Sequence, residues 1–172
     1  MSERLLRIMA SRWTRLVLVS LILLGLQTTV LNDMRPFEVM LPLMLLFAVA
    51  GGTLYGSEVG AISGLIIGVM YDMVLSTPLG LASLVFGATA FVAGMLPYFV
   101  REPTWWTRAI TIGVVGGLGE LAFPIAQSMV GFSGQLQPHV VVVVGLVALA
   151  GVIVSPLLLL ICRWTLKETL IG

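Results

Sequence analysis

Charge is what this chain has least of. Asp, Glu, Lys and Arg make up 10% of its 172 residues, against 59% hydrophobic ones. A soluble domain of that size needs much more surface charge to stay dispersed, so a water-soluble fold is excluded. Cysteine occurs once, at Cys162, which excludes an internal disulfide; histidine occurs once, at His139, which excludes a His-based metal cluster. There is no G-x-S-x-G elbow, no phosphate-cradling G-x-x-x-x-G-K, no histidine pair for zinc and no acid-rich aqueous loop. These absences leave no basis for an enzyme, a cofactor, a metal or a nucleic-acid partner. No repeat recurs at a fixed period, and no long linker or soluble stretch interrupts the chain, so residues 1–172 read as a single transmembrane domain.

What is present is a succession of apolar runs. Residues 2–15 place Leu5, Ile8, Met9 and Trp13 on one helical face and most of the arginines elsewhere, the pattern of an amphipathic lead-in at a membrane surface. The run from Leu16 to Leu31 is long for a signal peptide, and no small-x-small site follows it, so it reads as a retained first span. The pattern predicts an all-α integral membrane protein, a six-helix bundle with spans at about 16–31, 38–55, 59–75, 80–99, 109–130 and 140–162. Pro42 falls near the start of span two, where a missing N–H matters least. Span three is short, and Ser76-Thr77-Pro78 breaks it. Asp72 is therefore expected where that span dips inward or frays. Residues 101–108 read as a loop.

Six spans put both termini on one side. With that side cytoplasmic, the inner segments hold Arg4, Arg7, Arg12, Arg15, Arg101, Arg108, Arg163 and Lys167, and only Arg35 falls outside. This asymmetry is the positive-inside pattern. All four tryptophans, Trp13, Trp105, Trp106 and Trp164, fall at the same inner boundary, as interface anchors do.

Every fourth residue from 52 onward gives Gly52, Gly56, Gly60, Gly64, Gly68, Asp72, Ser76 and Gly80. Small residues at that spacing make a furrow in which another helix can lie close. Such a row drifts about 40° per step on a helix of 3.6 residues per turn, so it forms a slanted ridge. Its facing surface is either a partner's helix or the Gly113-xxx-Gly117 pair of span five. Asp72 and Glu120 are the two acids inside the apolar runs, with no basic residue in any span to neutralise them. Asp72 either pins the turn near Ser76 and Thr77 by accepting hydrogen bonds or serves a ligand or a proton. With Glu120 it forms either a cation or proton site or two points of helix–helix glue. Cys162 reads as inert, and His139 as an interfacial polar residue.

The run Gly64-xxx-Gly68-xxx-Asp72-xxxxx-Pro78-Leu79-Gly80-Leu81 resembles the central signature of the rod shape-determining protein MreD family. The resemblance covers residues 1 to about 100. It includes the arginine-rich start, a first span ending near Leu26-Gln27-Thr28, the short turn with Pro36 and the Gly-rich second and third spans. It departs at Ala82 and Ser83, where that family often has His and Ala. The resemblance implies a non-enzymatic multi-pass scaffold in the bacterial cytoplasmic membrane that binds the single-span partner MreC. Through MreC it would be linked to MreB filaments and to RodA with its transpeptidase in side-wall peptidoglycan synthesis. Gly52, Gly56, Gly60, Gly64, Gly68, Asp72, Pro78 and Gly80 then become the candidate partner-binding or packing residues. The family also looks related in fold to the S-components of ECF-type vitamin transporters, and a substrate-binding S-component is the alternative reading. The first span here has only Ser20 and Gly25, off the small-xxx-small spacing those subunits use for docking. A proton- or cation-coupled carrier using Asp72 and Glu120 is the third.

Overall fold

The computed structural model describes residues 11–31, 41–74, 80–129 and 140–166. They are helical throughout apart from short connections: α1 (Arg12–Leu26) with a π-helical turn at Gln27–Leu31, α2 (Leu43–Tyr55), α3 (Ser57–Val74), α4 (Leu81–Gly94), the single turn α5 (Leu96–Phe99), α6 (Trp105–Met129) and α7 (Val140–Leu166). The all-helical expectation holds. Among the described residues four stretches are long and apolar enough to cross a membrane: Ser57–Val74, Leu81–Phe99, Trp105–Ala126 and Val142–Leu166.

The bundle is organised around α2. Every residue from Leu43 to Thr53 is buried, as expected of a helix that is apolar all round. It packs against α1, α3, α4, α6 and α7, and those five helices pair with one another in the order α1–α3–α4–α6–α7 and back to α1. At 13 residues α2 is roughly 20 Å long, too short for a hydrocarbon core of about 30 Å. Enclosed on all sides, it has no need to match that thickness. Its start is capped from α1: Gln27 Oε1 accepts the Met44 N–H at 3.1 Å, just after Pro42, which has no N–H to give.

Several boundaries differ from the sequence expectation, each for a local reason. The first helix begins at Arg12, because Ser11 caps it by accepting the Thr14 N–H at 3.2 Å. Residues 12–15 are thus part of this helix, and residues 2–10 of the expected lead-in lie outside the described residues. Helix α3 is regular through Asp72 to Val74, so the acid sits in intact helix and not at a frayed end. Span four is broken at Met95, with Pro97 entering the next turn at its start. Trp105, Trp106, Thr107 and Arg108 form the first turn of α6, where the Arg108 N–H donates to the Thr104 carbonyl at 3.1 Å; they are not loop. Helix α7 continues to Leu166, four residues past its expected end.

The outward faces of the ring are apolar. Ile22, Met73, Leu84 and Ile153 are each more than 70% exposed or close to it, a surface suited to lipid and not to water.

Candidate functional site

The glycine row is folded in two. Gly52 belongs to α2, Gly56 forms the turn with φ of 88°, and Gly60, Gly64 and Gly68 lie on α3. A left-handed φ of that size is why this turn takes glycine. The turn brings Gly52 and Gly60 face to face: a Cβ on Gly60 would lie 2.6 Å from Gly52 Cα and 2.7 Å from the Ala90 carbonyl oxygen of α4.

Helix α4 fills the furrow from end to end. A Cβ on Gly64 would lie 2.5 Å from the Phe86 carbonyl oxygen and 3.0 Å from Gly87 Cα. One on Gly68 would lie 2.6 Å from the Ser83 nitrogen. From the other side, Gly94 of α4 sits against the backbone of Gly56 and Ser57. The helices thus meet backbone to backbone, which is possible only because Cβ atoms are missing. The facing surface is not Gly113-xxx-Gly117. Those two glycines pack on α7, against Ala148 and Val144. The overlooked signal is Ser83, Gly87, Ala90 and Gly94, small residues at i, i+4, i+7 and i+11 along α4.

At the far end of the furrow Asp72, only 4% exposed, reaches from α3 to the start of α4. Its Oδ2 accepts the Gly80 N–H at 2.9 Å, the Ser83 N–H at 3.3 Å and the Ser83 hydroxyl at 3.4 Å, and its Oδ1 accepts the Ala82 N–H at 3.2 Å. The first N–H groups of a helix have no partner within it, and a carboxylate there also meets the positive end of the helix dipole. Asp72 therefore caps α4 from a neighbouring helix. Gly80, with φ of 98°, supplies the left-handed turn that aims these donors at it. Ser76, Thr77 and Pro78 lie outside the described residues.

Glu120 is on α6, half-buried. Both it and Asp72 are close enough to the Tyr71 hydroxyl to act on it electrostatically. The Tyr71 ring packs on Phe86 at 5.3 Å and Phe123 at 6.3 Å between centroids. The two acids thus share a neighbour, but Asp72 is committed to α4. No group of three or more His, Cys, Asp or Glu side chains converges among the described residues.

The opposite end of the bundle is basic. Arg15 of α1 donates from Nη1 to the Trp164 carbonyl at 3.1 Å, and the Tyr55 hydroxyl donates to the Arg163 carbonyl at 3.3 Å. Trp105 and Trp106 stack at 3.8 Å and are more than half exposed, as is Trp164. Trp13 packs partly on the core, with the Arg12 guanidinium 5.1 Å from its ring centre. Cys162 is buried, its thiol 3.6 Å from the Phe47 carbonyl. His139 lies outside the described residues.

A model of one protein family, rod shape-determining protein MreD, matches residues 9–165. No curated protein matches the chain. No solved structure matches it either. With nine-tenths of its length matched, including the furrow, the capping acid and the basic end, the chain belongs to the rod shape-determining protein MreD family, a family of non-enzymatic proteins of cell-shape determination.

Proposed function

We propose that this protein is a multi-pass scaffold of the bacterial cytoplasmic membrane that binds an MreC-like single-span protein. In this reading it helps to organise MreB filaments, RodA and its transpeptidase during side-wall peptidoglycan synthesis. The observation that carries the reading is the use of the conspicuous residues: Gly60, Gly64 and Gly68 hold α4, and both carboxylate oxygens of Asp72 cap it. These groups support a rigid body that is gripped from outside. They do not support a carrier, because an acid bonded to three backbone N–H groups has to give them up before it can bind a travelling ion. Arg15, Arg101, Arg108 and Arg163 fall at one end of the helices, which supports a cytoplasmic location for that end and for both termini. The four tryptophans act as anchors at that boundary.

The test is co-purification in mild detergent with an epitope-tagged single-span partner, followed by mass spectrometry of small molecules in the purified protein. The scaffold reading expects the partner in a defined ratio and no stoichiometric small molecule. A bound vitamin without the partner would replace it with the S-component reading, and ion flux in liposomes abolished by Asp72→Asn and Glu120→Gln would replace it with the carrier.

A further inference from the structure

At the basic end of the bundle, the turn between α2 and α3 and the segment after α4 border an open recess of about 310 Å³, lined by Tyr55, Ser57, Glu58, Val59, Pro97 and Tyr98 between two glycines. Glu58 is the one charged side chain in that lining. It is exposed, and its carboxylate has no hydrogen-bond or ion-pair partner among the described residues. The first turn of α3 suits an acid, because the helix dipole is positive there, but that leaves the carboxylate oxygens unpaired. Tyr98, 83% exposed, opens onto the same recess. The other charges described at this end are Arg12 and Arg15 in α1, Arg108 in α6 and Arg163 in α7, with Arg101 and Glu102 adjacent before α6. Glu58 is therefore the one described acid here with no arginine next to it in the chain.

An apolar face runs from this recess along both helices. On α3, Ile62, Leu65, Val69 and Met73 follow Glu58 at i+4, i+7, i+11 and i+15, all exposed. On α4, Leu84, Ala88, Phe91 and Met95 keep a matching spacing and are exposed as well. The stripes are neighbours: a Cβ on Gly87, next to Ala88, would meet the Leu65 side chain at 3.0 Å.

We propose that a single-span membrane partner docks on this face, its span along the two stripes and an arginine or lysine of its cytoplasmic flank seated in the recess against Glu58 and Tyr98. The proposal rests on the scaffold reading above and adds where the partner lies. A single-span protein carries its basic residues just cytoplasmic of its span, so an apolar face that ends in an acidic recess matches span and flank together. The outward faces of α1, α6 and α7 are also apolar, but arginines at their basic ends repel such a flank. Within the recess the carboxylate pairs with the incoming cation, and the tyrosine ring covers it.

The experiment is photo-crosslinking of the full chain, co-expressed with the epitope-tagged single-span partner, from a benzophenone amino acid placed at Ile62, Tyr98 or Ile153, together with a binding titration of Glu58 variants. Crosslinks to the partner are expected from Ile62 and Tyr98 and not from Ile153, which is 75% exposed on α7. Glu58→Gln should weaken binding about threefold to fivefold, as loss of an exposed ion pair does, and Glu58→Lys about tenfold. Replacing the partner's flanking basic residues by glutamate should restore binding to Glu58→Lys. Glu102→Gln should change binding by less than about twofold, and it serves as the control for diffuse surface charge. Unchanged unfolding of the Glu58 variants shows that the fold is intact; if Glu58→Lys is unstable, Glu58→Gln and the crosslinks carry the test. A bound partner that crosslinks from Ile153 and not from Ile62 or Tyr98, or that binds Glu58→Lys as well as the unaltered protein, overturns the docking site and leaves the scaffold reading standing. Phosphatidylethanolamine held by the complex and lost from Glu58→Gln would overturn it in favour of a lipid ammonium. No binding of the partner to the unaltered protein overturns both.

Discussion

Adding one methyl group at Gly64 should do measurable damage, and the same methyl at Gly145 should do none. The Gly64 Cβ would meet the Phe86 carbonyl oxygen at 2.5 Å, its carbon at 2.8 Å and Gly87 Cα at 3.0 Å. All three are backbone atoms of a helix, so no side chain can rotate away. Reaching ordinary contact requires α3 and α4 to part by close to ~1 Å at this level. Parting them loosens the neighbouring contacts of Gly60 and Gly68 and lengthens the bonds from Asp72 to the start of α4. Overpacking of this kind costs about 1–3 kcal/mol, of which the better helix propensity of alanine returns about 0.5–1. Gly145 of α7 has nothing within 4 Å of its virtual Cβ, so only the propensity gain remains there. The two variants should therefore differ by about 2 kcal/mol, a factor of about thirty in the unfolding equilibrium. Reversible unfolding in mixed micelles, followed by tryptophan fluorescence and far-UV circular dichroism, reads this difference directly. If Gly64→Ala and Gly145→Ala unfold within about 0.5 kcal/mol of each other, the backbone contact between α3 and α4 is not what holds them together.

Asp72→Ala leaves the first N–H groups of α4 without their acceptor and should destabilise the fold by about 2 kcal/mol, with Asp72→Asn losing less because its amide oxygen still accepts. Hydrogen exchange at Ala82 and Ser83 should rise in both variants before that of α7 does, and exchange that stays local to α7 would count against the cap. Phe47→Ala empties the middle of α2, where the ring is 1% exposed, and should cost about 3–5 kcal/mol by the same unfolding assay.

Composition and periodicity were enough to determine the solvent and the class of fold. With so little charge, backbone groups inside a bilayer have to be satisfied within helices. The spacing of Gly60, Gly64 and Gly68 points to a close helix contact, while for Asp72 the sequence leaves open a carboxylate that pins the turn near Ser76 and Thr77 and one that serves a ligand or a proton. What the sequence did not reveal is which surfaces meet. A small-residue row has many possible mates in a chain with 19 glycines, and the choice of Ser83, Gly87, Ala90 and Gly94 over Gly113 and Gly117 follows from chain connectivity. The tight turn at Gly56 and the cap at Gly80 leave α4 beside α3, and α6 finds α7 instead. The central position of α2 was hidden for a similar reason: a run such as Leu43–Ala50 is equally apolar whether it faces lipid or other helices, and only the closing of five neighbours around it decides which.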